Sequence, residues 1–199
     1  MSYLAVFNLY NVVDTCSLWN LLGSPLLYRA AKTVKISLCS TQFVRYECLF
    51  KPGAHDPSRI ELQARLHACT QKNEVTFCDI ELEDLQDVAT LEKRLAISKG
   101  ELSSIAFAKR TRQCFLSDDR QAKRLAKSAL PEGAIQDIPH LCGWLCINGV
   151  IHESDQDTIR AELRAVQRFL DPHIGNAFLG ALEFRLMTQM GNQKKSSGE

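Results

Sequence analysis

Apolar residues run almost unbroken through Leu4, Val6, Leu9, Val12 and Val13, which predicts a buried first strand over residues 3–13. Asp14 closes that run. Leu18, Leu21 and Leu22 then recur at helical spacing as far as the breaker Gly23-Ser24-Pro25. The same alternation repeats. VKISLC over 34–39 reads as a strand, and Thr41 to Leu49 as a helix with Phe43, Val44 and Leu49 near one face. The loop over Lys51–Ser58 is set by its Pro and Gly content, and a helix follows over 59–71. Val75–Ile80 reads as a strand and Glu81–Leu95 as an acidic amphipathic helix. Glu101–Arg110 is a small-residue-rich helix, Gln113–Leu116 a strand and Arg120–Ala129 a basic helix. Leu141–Ile147 fits either a strand or a helix. Asp157–Leu170 and Ile174–Met190 predict two further helices, the last with an apolar stripe.

Strands alternating with helices over the first 130 or so residues predict an α/β fold, a central parallel sheet flanked by helices. The expected organisation is a main domain over 1–150, a C-terminal helical extension over 151–190 and a disordered tail over 191–199, GNQKKSSGE. In such sheets ligands bind beyond the carboxyl ends of the strands, so residues remote in sequence meet there.

The chain has 199 residues, a net charge of +1 and 45% hydrophobic residues, which describes an ordinary globular protein and excludes a histone-like basic one. The N-terminal segment lacks a basic n-region and a cleavage site and is too short for a membrane span. Eight cysteines lie scattered in apolar segments; together these features predict a cytoplasmic protein with reduced, buried thiols. His140, Cys142 and Cys146 have no second Cys pair to complete a zinc site and read as packing residues. Lys109, Arg110, Arg112, Arg120, Lys123, Arg124 and Lys127 form a candidate basic strip flanking Asp119.

Four acids carry the candidate chemistry: Asp14, Glu47, Glu101 and Asp119 each fall where a strand gives way to a helix. Each has a local explanation. Asp14 and Asp119 can cap the helices that follow them, Ser98 and Glu101 can form a capping box, and Glu47 can pair with Arg45 or Lys51. Gathered at one sheet edge, the four would repel one another unless a divalent cation held them.

The acid after the first strand, the acid in FVRYECL, the GELSSIAFA helix and the FLSDDRQAKRLA turn resemble, in order and spacing, the PIN-domain nucleases, which include the VapC-type toxins. The resemblance covers about residues 3–150. Cys16 stands where that family carries Ser or Asn, with Ser17 one place on; Ser117 and Asp119 match its Ser-x-Asp turn, and Asp118 falls on the variable position. The resemblance implies a PIN-like three-layer fold and a metal-dependent ribonuclease that hydrolyses RNA phosphodiester bonds with Mg2+ or Mn2+. Asp14, Glu47, Glu101 and Asp119 would be its catalytic and metal-binding residues, and Ser117, Arg120, Lys123 and Arg124 its substrate contacts. It further implies the toxin of a toxin–antitoxin pair, a homodimer and a small antitoxin partner. The alternative is a catalytically inactive PIN-like module that binds nucleic acid or protein.

Overall fold

The computed structural model describes residues 3–51, 56–92 and 97–196. After a 3-10 turn at Tyr3–Ala5 come β1 (Tyr10–Val13), α1 (Thr15–Gly23), α2 (Pro25–Thr33), β2 (Ser37–Thr41), α3 (Gln42–Leu49) and α4 (Pro57–Gln71). These are followed by β3 (Val75–Cys78), α5 (Leu82–Glu92), α6 (Lys99–Thr111), β4 (Cys114–Leu116) and α7 (Arg120–Ala126). The chain closes with β5 (Ile135–Gln136), α8 (Ile138–Ile147), α9 (Asp155–Ala165) and α10 (Asp171–Ser196).

The sheet has the order β3-β2-β1-β4-β5, and every pairing is parallel. Successive strand residues point to opposite faces. Val13, Leu38 and Leu116 join one apolar cluster, whereas Val12, Cys39 and Phe115 join the other. Two apolar faces require two helical layers. The first is packed by α1, α2, α4, α8, α9 and α10, through residues such as Leu18, Leu141, Ile159 and Phe178. The second is packed by α5, α6 and α7, through Val88, Ile105 and Leu125. The expected α/β architecture with a parallel sheet between helical layers is therefore present. Helices beyond residue 150 share the first core: Ile159, Leu163, Val166 and Ile174 lie in the same cluster as Leu21.

Several local expectations are corrected. The first strand is shorter than residues 3–13, because Leu4 is buried against Gly143 of α8 while Val6 and Leu9 face solvent. Gly23-Ser24-Pro25 does not merely break a helix; it also starts one. Ser24 accepts from the Leu27 N–H and Pro25 stands at the first helical position, so α2 follows at once. The ambiguous segment near Leu141 is helical, opened by Asp137, whose carboxylate accepts from the His140 N–H. Helix α9 ends at Ala165 rather than Leu170, with Gln167 in the left-handed region at φ 57°.

At the C-terminus, α10 continues as a helix to Ser196 in place of a tail beginning at residue 191, and 197–199 lie outside the described residues. The expected loop over Lys51–Ser58 and acidic helix over Glu81–Leu95 lie outside them in part, at 52–55 and 93–96. The start of α10 buries Ile174, Ala177, Phe178 and Ala181, whereas Leu186, Met187 and Met190 further along are exposed. Among the described residues no helix is long and apolar enough to cross a membrane.

Candidate active site

Strand β1 lies between β2 and β4, and the chain order reverses there, so the crevice at the carboxyl ends of β1 and β4 is the topological switch point. Asp14 follows β1 at this point and Ser117-Asp118-Asp119 follow β4. The local capping roles of three acids are all realised. Asp14 accepts from the Ser17 N–H at 2.7 Å, and Asp119 from the Ala122 N–H at 2.7 Å. Glu101 closes a capping box in which its carboxylate accepts from the Ser98 N–H at 2.9 Å and the Ser98 hydroxyl accepts from the Glu101 N–H at 3.2 Å.

Glu47 departs from the sequence reading twice: it lies well inside α3 rather than where a strand gives way to a helix, and its carboxylate pairs with neither Arg45 nor Lys51. Oε2 accepts from the Thr15 hydroxyl at 2.6 Å and Oε1 from the Gly100 N–H at 3.1 Å. The side chain thus ties the residue after Asp14 to the residue before Glu101. On the other side, the Ser117 hydroxyl donates to Asp14 Oδ2 and accepts from the Asp119 N–H at 3.2 Å. Two hydrogen-bonded groups, Asp14–Ser117–Asp119 and Thr15–Glu47–Gly100, are thus joined through the chain neighbours Asp14-Thr15 and Gly100-Glu101 into one assembly at the carboxyl end of the sheet. Gly100 is required for it. A Cβ there would meet Glu47 Oε2 at 2.4 Å and Cδ at 2.7 Å. Gly100→Ala should turn the Glu47 carboxylate away from α6. Loss of a charge-assisted hydrogen bond outweighs the helix-propensity gain, so a denaturant melt should show a destabilisation of about 1–2 kcal/mol.

Burial sets the electrostatics. Asp14 is fully buried, and desolvation lifts its pKa to about 7 despite hydrogen bonds from Ser117 and Ser17; the charges of Asp118 and Glu101 add to the rise. Glu101 is also raised, first by desolvation and then by the nearby charges of Asp119 and Glu47, opposed by its bonds to Ser98. Mutual repulsion among these groups is the electrostatic sign of convergence.

Asp118 is the residue whose position the sequence left least defined. Its carboxylate accepts from the Ser17 hydroxyl (2.9 Å), Asn20 Nδ2 (2.7 Å) and the Ile138 N–H (3.0 Å), joining α1, the β4 turn and α8. Asn20 in turn accepts from Arg168 Nε at 2.6 Å, and Arg168 also reaches Cys16 Sγ at 3.1 Å. Arg168 comes from beyond residue 150, and no spacing rule could have connected it to Asn20. Cys16, despite Arg168, is held up at about 11 by desolvation and is protonated at neutral pH. All eight cysteines are free thiols. Cys142 and Cys146 lie in the apolar core, and the His140 ring bonds the Val6 carbonyl.

The basic strip does not survive as one surface. Lys109 pairs with Asp87, and Arg110 with Asp84 and Glu81. Both stand near the far end of α6, about 12 Å along the helix axis from Glu101. Arg120, Lys123, Arg124 and Lys127 line a groove of about 810 Å³ beside β5. Within it Lys123 is paired with Asp137 at 2.8 Å, while Arg120, Arg124 and Lys127 are exposed.

Among the described residues no three His, Cys, Asp or Glu side chains gather closely enough to cage a metal unaided. Magnesium does not require such a cage, since it commonly takes one or two carboxylates and completes its shell with water and substrate phosphate. Glu101 and Asp119 fit that requirement best. Both are partly exposed, the charge of Asp119 helps raise the pKa of Glu101, and in each only one carboxylate oxygen is engaged by a donor among the described residues. Asp14 and Glu47 have both oxygens engaged, so each would reach a cation only by giving up a hydrogen bond or through water. No protein-family model and no curated protein matches this chain.

Proposed function

We propose that this protein is a PIN-like, metal-dependent ribonuclease whose site is the switch-point crevice. The observation that carries this reading is the grouping of four acids beyond an all-parallel sheet: Ser117 bonds both Asp14 and Asp119, while Glu47 bonds Thr15 and Gly100, the chain neighbours of Asp14 and Glu101. Glu101 and Asp119 would hold Mg2+ or Mn2+, with Asp14 and Glu47 acting on the ion through water. When bound, the ion supplies a water of lowered pKa and neutralises charge developing on the phosphate. The chain's own contribution is placement. Asp14 fixes Ser117 and the β4 turn, Glu47 fixes the N-terminus of α6, and the N-terminal ends of α1, α6 and α7 set positive dipole ends around the acids. Exposed Arg120 and Arg124 offer contacts for a phosphate backbone next to Asp119.

The test is hydrolysis of single-stranded RNA by the purified chain with Mg2+ or Mn2+ and in chelator. Cleavage only with added metal is expected, and equal cleavage in chelator would sink the mechanism. Replacing Lys123 and Arg124 together by Ala should weaken RNA binding and reduce its salt dependence, with most of the loss from Arg124, because Asp137 already neutralises Lys123.

A second reading rests on the same geometry. The carboxylate oxygens of Asp14, Glu47 and Asp118 are all engaged by internal donors, which is how acids behave in a purely structural network. A catalytically inactive PIN-like binding module fits that saturation, and RNA binding without any metal-dependent cleavage would favour it.

A further inference from the structure

Glu47 stands on the wall between two clefts of different chemistry. On one side a recess of about 580 Å³ between α3 and the N-terminus of α6 is lined by Phe43, Tyr46, Lys51 and Lys99, with Glu47 at its border. Tyr46 is 53% exposed and Phe50 61%, and their rings stack at a centroid distance of 6.5 Å and an interplanar angle of 28°. On the other side a polar cleft of about 400 Å³ carries Lys51, Arg59 and Arg168, with one further acid, Asp56, around Thr15 and the same Glu47. Aromatic residues exposed on a helix keep apolar surface in contact with water, so a solvated face would ordinarily carry polar residues there. Here the aromatic groups are bordered by lysines, and the carboxylate network follows at once.

Flat apolar faces, flanking cations and an adjoining site for phosphate chemistry together match a nucleotide. The base would stack on the rings, and its anionic backbone would lie against the lysines. An apolar peptide or an acyl chain would use the rings but not the cations gathered about Glu47. We propose that the recess between α3 and α6 is a nucleobase subsite for single-stranded RNA, where a base stacks on Tyr46 and the backbone passes across Glu47 toward Arg59 and Arg168. This rests on the ribonuclease reading and adds to it the strandedness of the substrate and its direction across the site. Stacking requires an unpaired base, so duplex RNA would not fit.

The experiment is a titration of the full chain into single-stranded RNA carrying one 2-aminopurine, in chelator so that no hydrolysis intervenes. Wild-type protein should quench the fluorescence on binding. Tyr46→Ala should bind roughly tenfold more weakly and lose the quench, while Tyr46→Trp keeps both. Tyr46 is exposed, so the variants should fold, which circular dichroism checks. Unchanged affinity and quench in Tyr46→Ala would overturn the subsite, as would equal competition by an abasic ribose-phosphate oligomer or by duplex RNA. Failure of the ribonuclease reading looks different: quenching by a protein that cleaves nothing with Mg2+ or Mn2+ leaves the subsite standing and removes the hydrolase.

Discussion

Asp119→Asn and Glu101→Gln should each lower metal-dependent RNA hydrolysis by about 100-fold or more while leaving the fold intact. Their structural roles survive the change. Asn is as good an N-cap as Asp, so the Ala122 N–H keeps its acceptor, and Gln can close the capping box with Ser98 as Glu does. What disappears is charge at the two acids with an oxygen free for a cation, and a metal's electrostatic contribution to phosphoryl chemistry is worth several kcal/mol. Circular dichroism should match wild type in both; a denaturant melt should agree within about 0.5 kcal/mol for Asp119→Asn and show Glu101→Gln no less stable at neutral pH, because ionised Glu101 is disfavoured in the fold. Wild-type rates in both variants would mean that the acids serve only as caps. Asp118→Asn should behave in the opposite manner. It weakens a carboxylate that holds α1, the β4 turn and α8 together, so stability falls more than the intrinsic rate.

The second large effect is on pH-dependent stability. In the folded protein Asp14 has a pKa near 7, against 3.8 for an unperturbed aspartate. Below pH 4 the group is protonated whether the chain is folded or unfolded, and the favourable contribution is complete. As pH rises from about 4 to about 7, the unfolded chain ionises while the folded one resists. Stability therefore falls across that window, by on the order of a few kcal/mol, and levels off above it. Glu101 and Asp118, both also raised, push in the same direction. Asp14→Asn should remove most of this slope and make the metal-free protein more stable than wild type at pH 7.5. Parallel denaturant melts from pH 4 to 8 measure it, and the difference between wild type and Asp14→Asn isolates this residue from other titrating groups. An identical slope in both proteins would show that Asp14 ionises freely in the fold. Added Mg2+ should stabilise wild type above pH 7 more than the variant, since a cation bound near the acids offsets their repulsion.

These expectations depend on the tertiary structure to different degrees. The strand-helix alternation through residue 130 and the local fate of Asp14, Glu101 and Asp119 were legible in the chain, because capping and periodicity act over three or four residues. The helix start at Ser24-Pro25 carried the same kind of signal, although those residues also read as a break. The two-residue strand β5 offered too few positions for any period to register. Glu47 marks the boundary of what sequence can say. It could be singled out as a candidate acid, but its partners Thr15 and Gly100 lie 32 and 53 positions away and meet it only when α1, α3 and α6 pack. Arg168 is the extreme case, brought to Asn20 and Cys16 from 148 and 152 positions away by the left-handed turn at Gln167. The sequence by itself determined that Asp14, Glu101 and Asp119 stand at helix starts, though not that Glu47 lies inside α3, and that a parallel sheet would form. Only the tertiary structure decided that Asp14 is buried enough to hold a proton near neutral pH, that Asp137 neutralises Lys123, and that Lys109 and Arg110 are taken up by Asp87, Asp84 and Glu81. The reason is physical: desolvation and ion pairing depend on distances across the fold, and those are set by how two helical layers close on the sheet.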